Sequence, residues 1–191
     1  LNIRKDNMQE LSMNVLDVAE NSMRAQAENV SIKLIEDRQA DILSISIEDD
    51  GCGMSEEQVA QVTDPFFTTR TTRKVGLGIP LFKMAAEMTG GEFLITSSPG
   101  VGTKTSATFV HSSIDRMPLG DMASTIQLLI CSHEDVNVTY THIVDGREFF
   151  VSTDQLKEVL EGVSLETPEI RIFVGDYLKE NIEALYTDEE E

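Results

Sequence analysis

Between residues 8 and 26, apolar residues return every three or four positions: Leu11, Val15, Val18 and Ala19, with Ser22 in phase. That period predicts a helix whose apolar stripe faces a core. Asn14, Asp17, Asn21 and Arg24 fall on another face of the same helix. The period then switches to two. Residues 30–35 and 42–47 alternate apolar and polar side chains, which predicts two strands joined by a polar turn at 36–41. Ser55, with Gln58 three residues on, fits a helix start, and Asp64-Pro65 would end that helix. Residues 66–75 carry no period and are rich in threonine and basic side chains, so they read as a loop. Pro80 suits the first turn of a helix running through Leu81, Met84, Ala85 and Met88, with Gly90-Gly91 as its stop. Residues 92–97 and 104–110 read as strands around a glycine-rich turn.

The pattern continues beyond residue 112 with a helix at 122–130. Strands at 136–144 and 147–151 flank Asp145-Gly146, a strong two-residue hairpin turn. Thr153 or Asp154 would cap a short helix to residue 160, and a last helix covers 168–185.

Charge divides the chain at the same place. Residues 1–112 carry 16 acidic and 10 basic side chains, and residues 113–191 carry 18 and 5. A boundary near 112–118 is expected, with a motif-bearing domain at 1–112 and a small acidic α/β domain at 113–191. The net charge of −19 disfavours a nucleic-acid partner. Apolar residues make up 40%, and no apolar run approaches the ~20 residues that span a bilayer. No membrane association and no signal peptide are expected. Two cysteines, Cys52 and Cys131, give no disulfide framework, which fits a cytoplasmic protein.

Four short motifs carry candidate chemistry. On the first helix, Asp17 and Asn21 lie four residues apart and share a face. An asparagine carbonyl can serve as one oxygen ligand of a magnesium ion, and a neighbouring carboxylate can orient or deprotonate a nucleophile. Asp49-Asp50-Gly51-Cys52-Gly53 follows a strand. The Asp49 carboxylate could accept from the amino group of adenine, while Gly51 and Gly53 let backbone approach a flat ring. Cys52 reads as a small apolar residue in that turn. Gly76-Leu77-Gly78 precedes a helix, whose free N–H groups attract phosphate. Arg70, Arg73 and Lys74 stand just upstream. Gly100-Val101-Gly102-Thr103 places a hydroxyl at a strand entrance, where it could touch a phosphate or a water beside adenine. Taken singly, each motif also fits an ordinary polar helix face, acidic turn or glycine-rich loop.

In this order the set resembles the GHKL superfamily, which groups gyrase, the ninety-kilodalton heat-shock chaperones, histidine kinases and MutL. LSMNVLDVAENSMRAQA is similar to its N box, EDDGCGM to its G1 box, DPFFTT to the F box of histidine kinases, VGLGIPLFKMAAEMTGG to its G2 box, and SSPGVGTKTSATF to its last glycine motif. The resemblance covers about residues 8–110. It implies a Bergerat ATP-binding fold: an α+β, two-layer sandwich with helices on one face of a mixed sheet. It also implies that Asn21 holds magnesium, Asp49 holds adenine, and Gly76, Leu77 and Gly78 with Arg70, Arg73, Lys74 and Thr103 steady the phosphates of ATP. Two departures stand out. The usual glutamate at the base position is Asp17, and Lys74 replaces the first glycine of the G2 box.

Two functions fit this inventory. One is a histidine-kinase-like protein that transfers the γ-phosphoryl group to a partner protein. The other is an ATP-gated switch or slow ATPase that regulates a partner without phosphorylating it. Some ten residues precede the N box, and His111, His133 and His142 all follow the ATP motifs. The acceptor is therefore expected on another protein, which the 113–191 segment would contact. A homodimer is also compatible with the resemblance.

Overall fold

A computed structural model describes residues 10–64 and 78–187. Its centre is one six-stranded sheet, in the order β3-β4-β2-β1-β5-β6. The strands are β1 (Asn29–Asp37), β2 (Ile42–Asp49), β3 (Phe93–Ser98), β4 (Gly102–Val110), β5 (Asn137–Val144) and β6 (Arg147–Ser152). All neighbours are antiparallel except β1 and β5, which run parallel. The sheet is mixed, as the resemblance implies.

Strict alternation sets the two faces. Val30, Ile32 and Leu34 of β1, Leu43, Ile45 and Ile47 of β2, and Val138 and Tyr140 of β5 are buried on one face. Their neighbours Ser31, Lys33, Ser44, Ser46, Thr139 and Thr141 point the other way. The apolar face is covered by helices, which makes two layers.

Those helices are α1 (Leu11–Arg24), α2 (Glu56–Thr63), α3 (Gly78–Met88), α4 (Met122–Ser132), α5 (Thr153–Val159) and α6 (Pro168–Ala184). The predicted stripe of α1 is buried: Leu11, Val15, Val18, Ala19 and Ser22. α1 has no side-chain cap. Its first N–H groups instead donate to distant backbone, Leu11 to the Pro118 carbonyl at 3.0 Å and Ser12 to the Leu119 carbonyl at 2.9 Å. Gly120 is required beside them, because its φ is +79° and a Cβ there would meet Glu10 Oε2 and Ser12 Oγ at 2.4 Å. Ser55 and Gln58 form the expected capping box.

Three local readings shift. Strand β1 continues through Glu36, where a turn was expected, because Glu36 points into the buried face and finds hydrogen-bond donors there. The cap of α5 is Ser152, whose hydroxyl accepts from Gln155 N, rather than Thr153 or Asp154. In α3 the buried face is Ile79, Phe82, Ala85 and Ala86, while Met84 and Met88 are exposed. Apolar residues lie on both sides of this helix, so periodicity alone could be read in two phases. The hairpin stands where Asp145-Gly146 predicts, with φ of +47° and +88° at its two turn residues.

The charge break at 112–118 does not coincide with a break in packing. β5 and β6 extend the same sheet through β1, and α4 packs on α1. One hydrophobic core runs from Leu11 to Leu185.

Candidate functional site

The site is built where β2 ends. Alternation puts Asp49 on the helix-facing side of the sheet, opposite Val30 of β1 and Thr103 of β4. Helix α1 crosses this end and brings Ser22 into reach. The Ser22 hydroxyl donates to Asp49 Oδ2 at 2.6 Å. Gly51 N and Thr103 N donate to Asp49 Oδ1 at 3.0 and 3.2 Å. Three donors thus fix both carboxylate oxygens and hold the side chain in one orientation.

A cavity of about 240 Å³ opens next to Asp49. Its polar lining includes Asn21, Ser22, Asp49, Thr103 and Thr105. Val18, Ile47, Met54, Val62 and Ile79 supply apolar walls. The cavity lies below the ~300–1,000 Å³ of pockets that bury a whole small ligand.

Two glycines let this turn pack closely on its own chain. A Cβ on Gly53, at φ +66°, would fall 1.9 Å from the Ser98 carbonyl oxygen. One on Gly51 would meet the Ala25 carbonyl oxygen at 2.8 Å. The turn therefore packs tightly on the end of α1 and on the β3–β4 connection. Cys52 is exposed in the turn and also lines the cavity. The adjacent Asp50 is committed to structure: its carboxylate accepts from Glu28 N, Asn29 N and Asn29 Nδ2, each at 2.8 Å.

Asp17 and Asn21 share a face of α1, as their spacing predicts. Asn21 lines the cavity, and its Oδ1 accepts from Arg24 Nη1 at 3.1 Å. Asp17 is exposed beside the start of α3: a Cβ on Gly78 would lie 2.7 Å from Asp17 Cβ and 3.2 Å from its Oδ2. Glycine at 78 thus lets the helix N-terminus approach this carboxylate. Desolvation raises the Asp17 pKa above the ordinary aspartate value, Arg24 pulls it down, and Glu20 pushes it up.

Thr103 sits against Asp49 and lines the same cavity. Its hydroxyl lies 2.8 Å from Ser97 Oγ. Arg70, Arg73, Lys74, Gly76 and Leu77 fall outside the described residues, as does the F box after Asp64. Sequence reasoning placed Ser22 in the core stripe and missed its bond to Asp49. A hydroxyl in an otherwise apolar stripe, one residue after Asn21, was the available sign.

The family described as histidine kinase-, DNA gyrase B-, and HSP90-like ATPase matches residues 6–113. Similar proteins include the alginate biosynthesis sensor protein KinB of Pseudomonas aeruginosa, 33% identical over 89 residues, and sporulation kinase E of Bacillus subtilis, 35% identical over 74. These matches cover 46% and 39% of this chain but only 15% and 10% of the relatives' lengths. Among solved structures, the N-terminal domain of a DNA repair protein aligns with a TM-score of 0.53 at 13% identity, over 82% of this chain and 54% of that one. That likeness concerns the fold. The chain belongs to the histidine kinase-, DNA gyrase B- and HSP90-like ATPases and carries their ATP-binding domain.

Proposed function

We propose that the chain binds magnesium-ATP and transfers its γ-phosphoryl group to a side chain of a partner protein. The observation that carries this reading is the meeting of Asn21, Asp49, Gly53 and Thr103 around one cavity, with Asp17 against the start of α3.

In this reading Asp49 accepts from the adenine amino group, held in place by Ser22, Gly51 and Thr103. The phosphates extend past Asn21 toward Gly78, where the first N–H groups of α3 favour negative charge. The donor set fits magnesium. Asn21 would offer one neutral oxygen, with phosphates and water supplying the other ligands. When bound, the ion would neutralise phosphate charge. Arg70, Arg73 and Lys74 are proposed to add positive charge over the same phosphates, with Gly76 and Leu77 giving backbone N–H groups.

Phosphoryl transfer needs positioning and charge stabilisation more than covalent help. The acceptor atom would form a bond to the γ-phosphorus as the bond to the β–γ bridging oxygen breaks. ADP leaves with that electron pair, and the acceptor's proton passes to Asp17. The raised pKa of Asp17 suits a base that must hold a proton. Similarity to sporulation kinase E supports transfer over hydrolysis.

The test is incubation of the chain with γ-labelled ATP and candidate partner proteins. Label on a partner, lost with Asp17→Asn and Asn21→Ala, is the expected result. Release of free phosphate with no labelled protein would overturn the transfer step and favour the ATP-gated switch.

A further inference from the structure

A second concavity lies outside the nucleotide site. It is a groove of about 720 Å³ between α4 and α6, bordered by the segment 119–121. Helix α6 buries Val174 and Leu178 against the core. A different face of it, carrying Ile172, Asp176, Lys179 and Glu183 at three- and four-residue spacing, lines the groove. Ile172 is 65% exposed there. Across from it, Leu119 and Ala123 add partly exposed apolar surface, with Met122 buried beneath them. The charges are unbalanced: Asp121, Asp176 and Glu183 stand against Lys179 alone.

We infer that this groove docks an amphipathic helix of a partner protein, with apolar residues on one side and lysines or arginines flanking them. Length supports a helix. The α6 face from Ile172 to Glu183 spans about 16 Å at ~1.5 Å per residue, close to three turns of a partner helix. Apolar surface that the described residues leave uncovered accounts for the partner's apolar stripe. Charge selects its flanks. A second copy of this chain carries −19 and would bring like charge to an acidic groove. Nucleic acid and anionic lipid are repelled for the same reason. A basic helix is the occupant with complementary charge.

Position gives the groove a connection to the nucleotide helix. Leu119 lines it, and the Leu119 carbonyl caps Ser12 at the start of α1. An occupant would touch the backbone that seats the helix bearing Asp17 and Asn21.

The test uses the full chain and a fluorescein-labelled 18-residue helical peptide of leucine on one face and lysine on the other. Fluorescence anisotropy should show saturable binding. Asp176→Lys with Glu183→Lys should weaken it at least tenfold. Glu158→Lys with Glu161→Lys changes the charge equally at exposed positions outside the groove and should alter it less than twofold. A leucine–glutamate peptide of the same pattern should not bind. Equal weakening by both double variants, no effect of the groove variant, or no binding by the unaltered chain would each overturn the proposal. ATP binding by the Asp176/Glu183 variant should be unchanged, so failure here leaves the nucleotide reading standing.

Discussion

Two carboxylates sit at opposite ends of the same buried sheet face. Asp49 ends β2, and Glu36 lies near the end of β1, paired across from Leu43. Six residues along β1 separate the two positions, about 20 Å. Both are tied by hydrogen bonds, yet their surroundings differ. Asp49 accepts from Ser22, Gly51 and Thr103 and still faces a cavity. Glu36 accepts from His111 at 3.0 Å, His142 at 3.3 Å and the Tyr186 hydroxyl, and lines neither the cavity nor the groove. Tyr140 completes that cluster, with its hydroxyl 2.9 Å from His142 Nδ1. Burial raises the Glu36 pKa, but hydrogen bonds from His142, Tyr186 and His111 outweigh it and bring the value down to about 2. Tyr186 moves upward, by burial and then by its bond to Glu36. A carboxylate satisfied entirely by its own chain holds structure. One that is oriented but left facing open space has room to accept from a ligand.

The sharpest way to break this contrast is to remove each carboxylate in turn. Glu36→Ala strips partners from the fully buried His142 and should cost about 3 kcal/mol of stability in denaturant titration. ATP affinity of the folded fraction should stay within about twofold, since Glu36 is remote from the cavity. Asp49→Asn should do the reverse. It should weaken ATP about 100-fold, or ~2.7 kcal/mol, while the unfolding midpoint moves by only a few degrees.

Acid tests the Glu36 end next. Glu36 has a native pKa of about 2 against an ordinary 4.5, so between those values the unfolded chain binds more protons. Its stabilising contribution is full above about pH 4.5 and declines as pH falls toward 2. Denaturant titrations at pH 7 and pH 3 should show this loss, and Glu36→Gln should reduce it. The smallest effect is expected from Ser22→Ala. It removes one of three donors to Asp49 and should weaken ATP by about three- to tenfold. A loss as large as that of Asp49→Asn would mean that Ser22 contacts the ligand itself.

Periodicity made the elements around the nucleotide end legible. The three-four spacing of Leu11, Val15 and Val18 located α1, and alternation located β1 and β2. Glycine-rich turns marked the places where chain segments approach closely, as Gly53 does against Ser98. What spacing could not convey was pairing between distant segments. Nothing local tells that β5 lies parallel to β1, which carries the sheet across the charge break at 112–118. The cluster at Glu36 was hidden for the same reason, because its donors come from residues 111, 142 and 186. Charge reports solvent exposure along the chain, and packing is decided by which apolar faces meet.

Adenine recognition by Asp49 is the central claim, and titration calorimetry tests it most directly. The chain should bind magnesium-ATP saturably, bind magnesium-GTP at least 50-fold more weakly (~2.3 kcal/mol), and lose this preference in Asp49→Asn. Equal affinity for the two nucleotides, or unaltered ATP binding by Asp49→Asn, would contradict it.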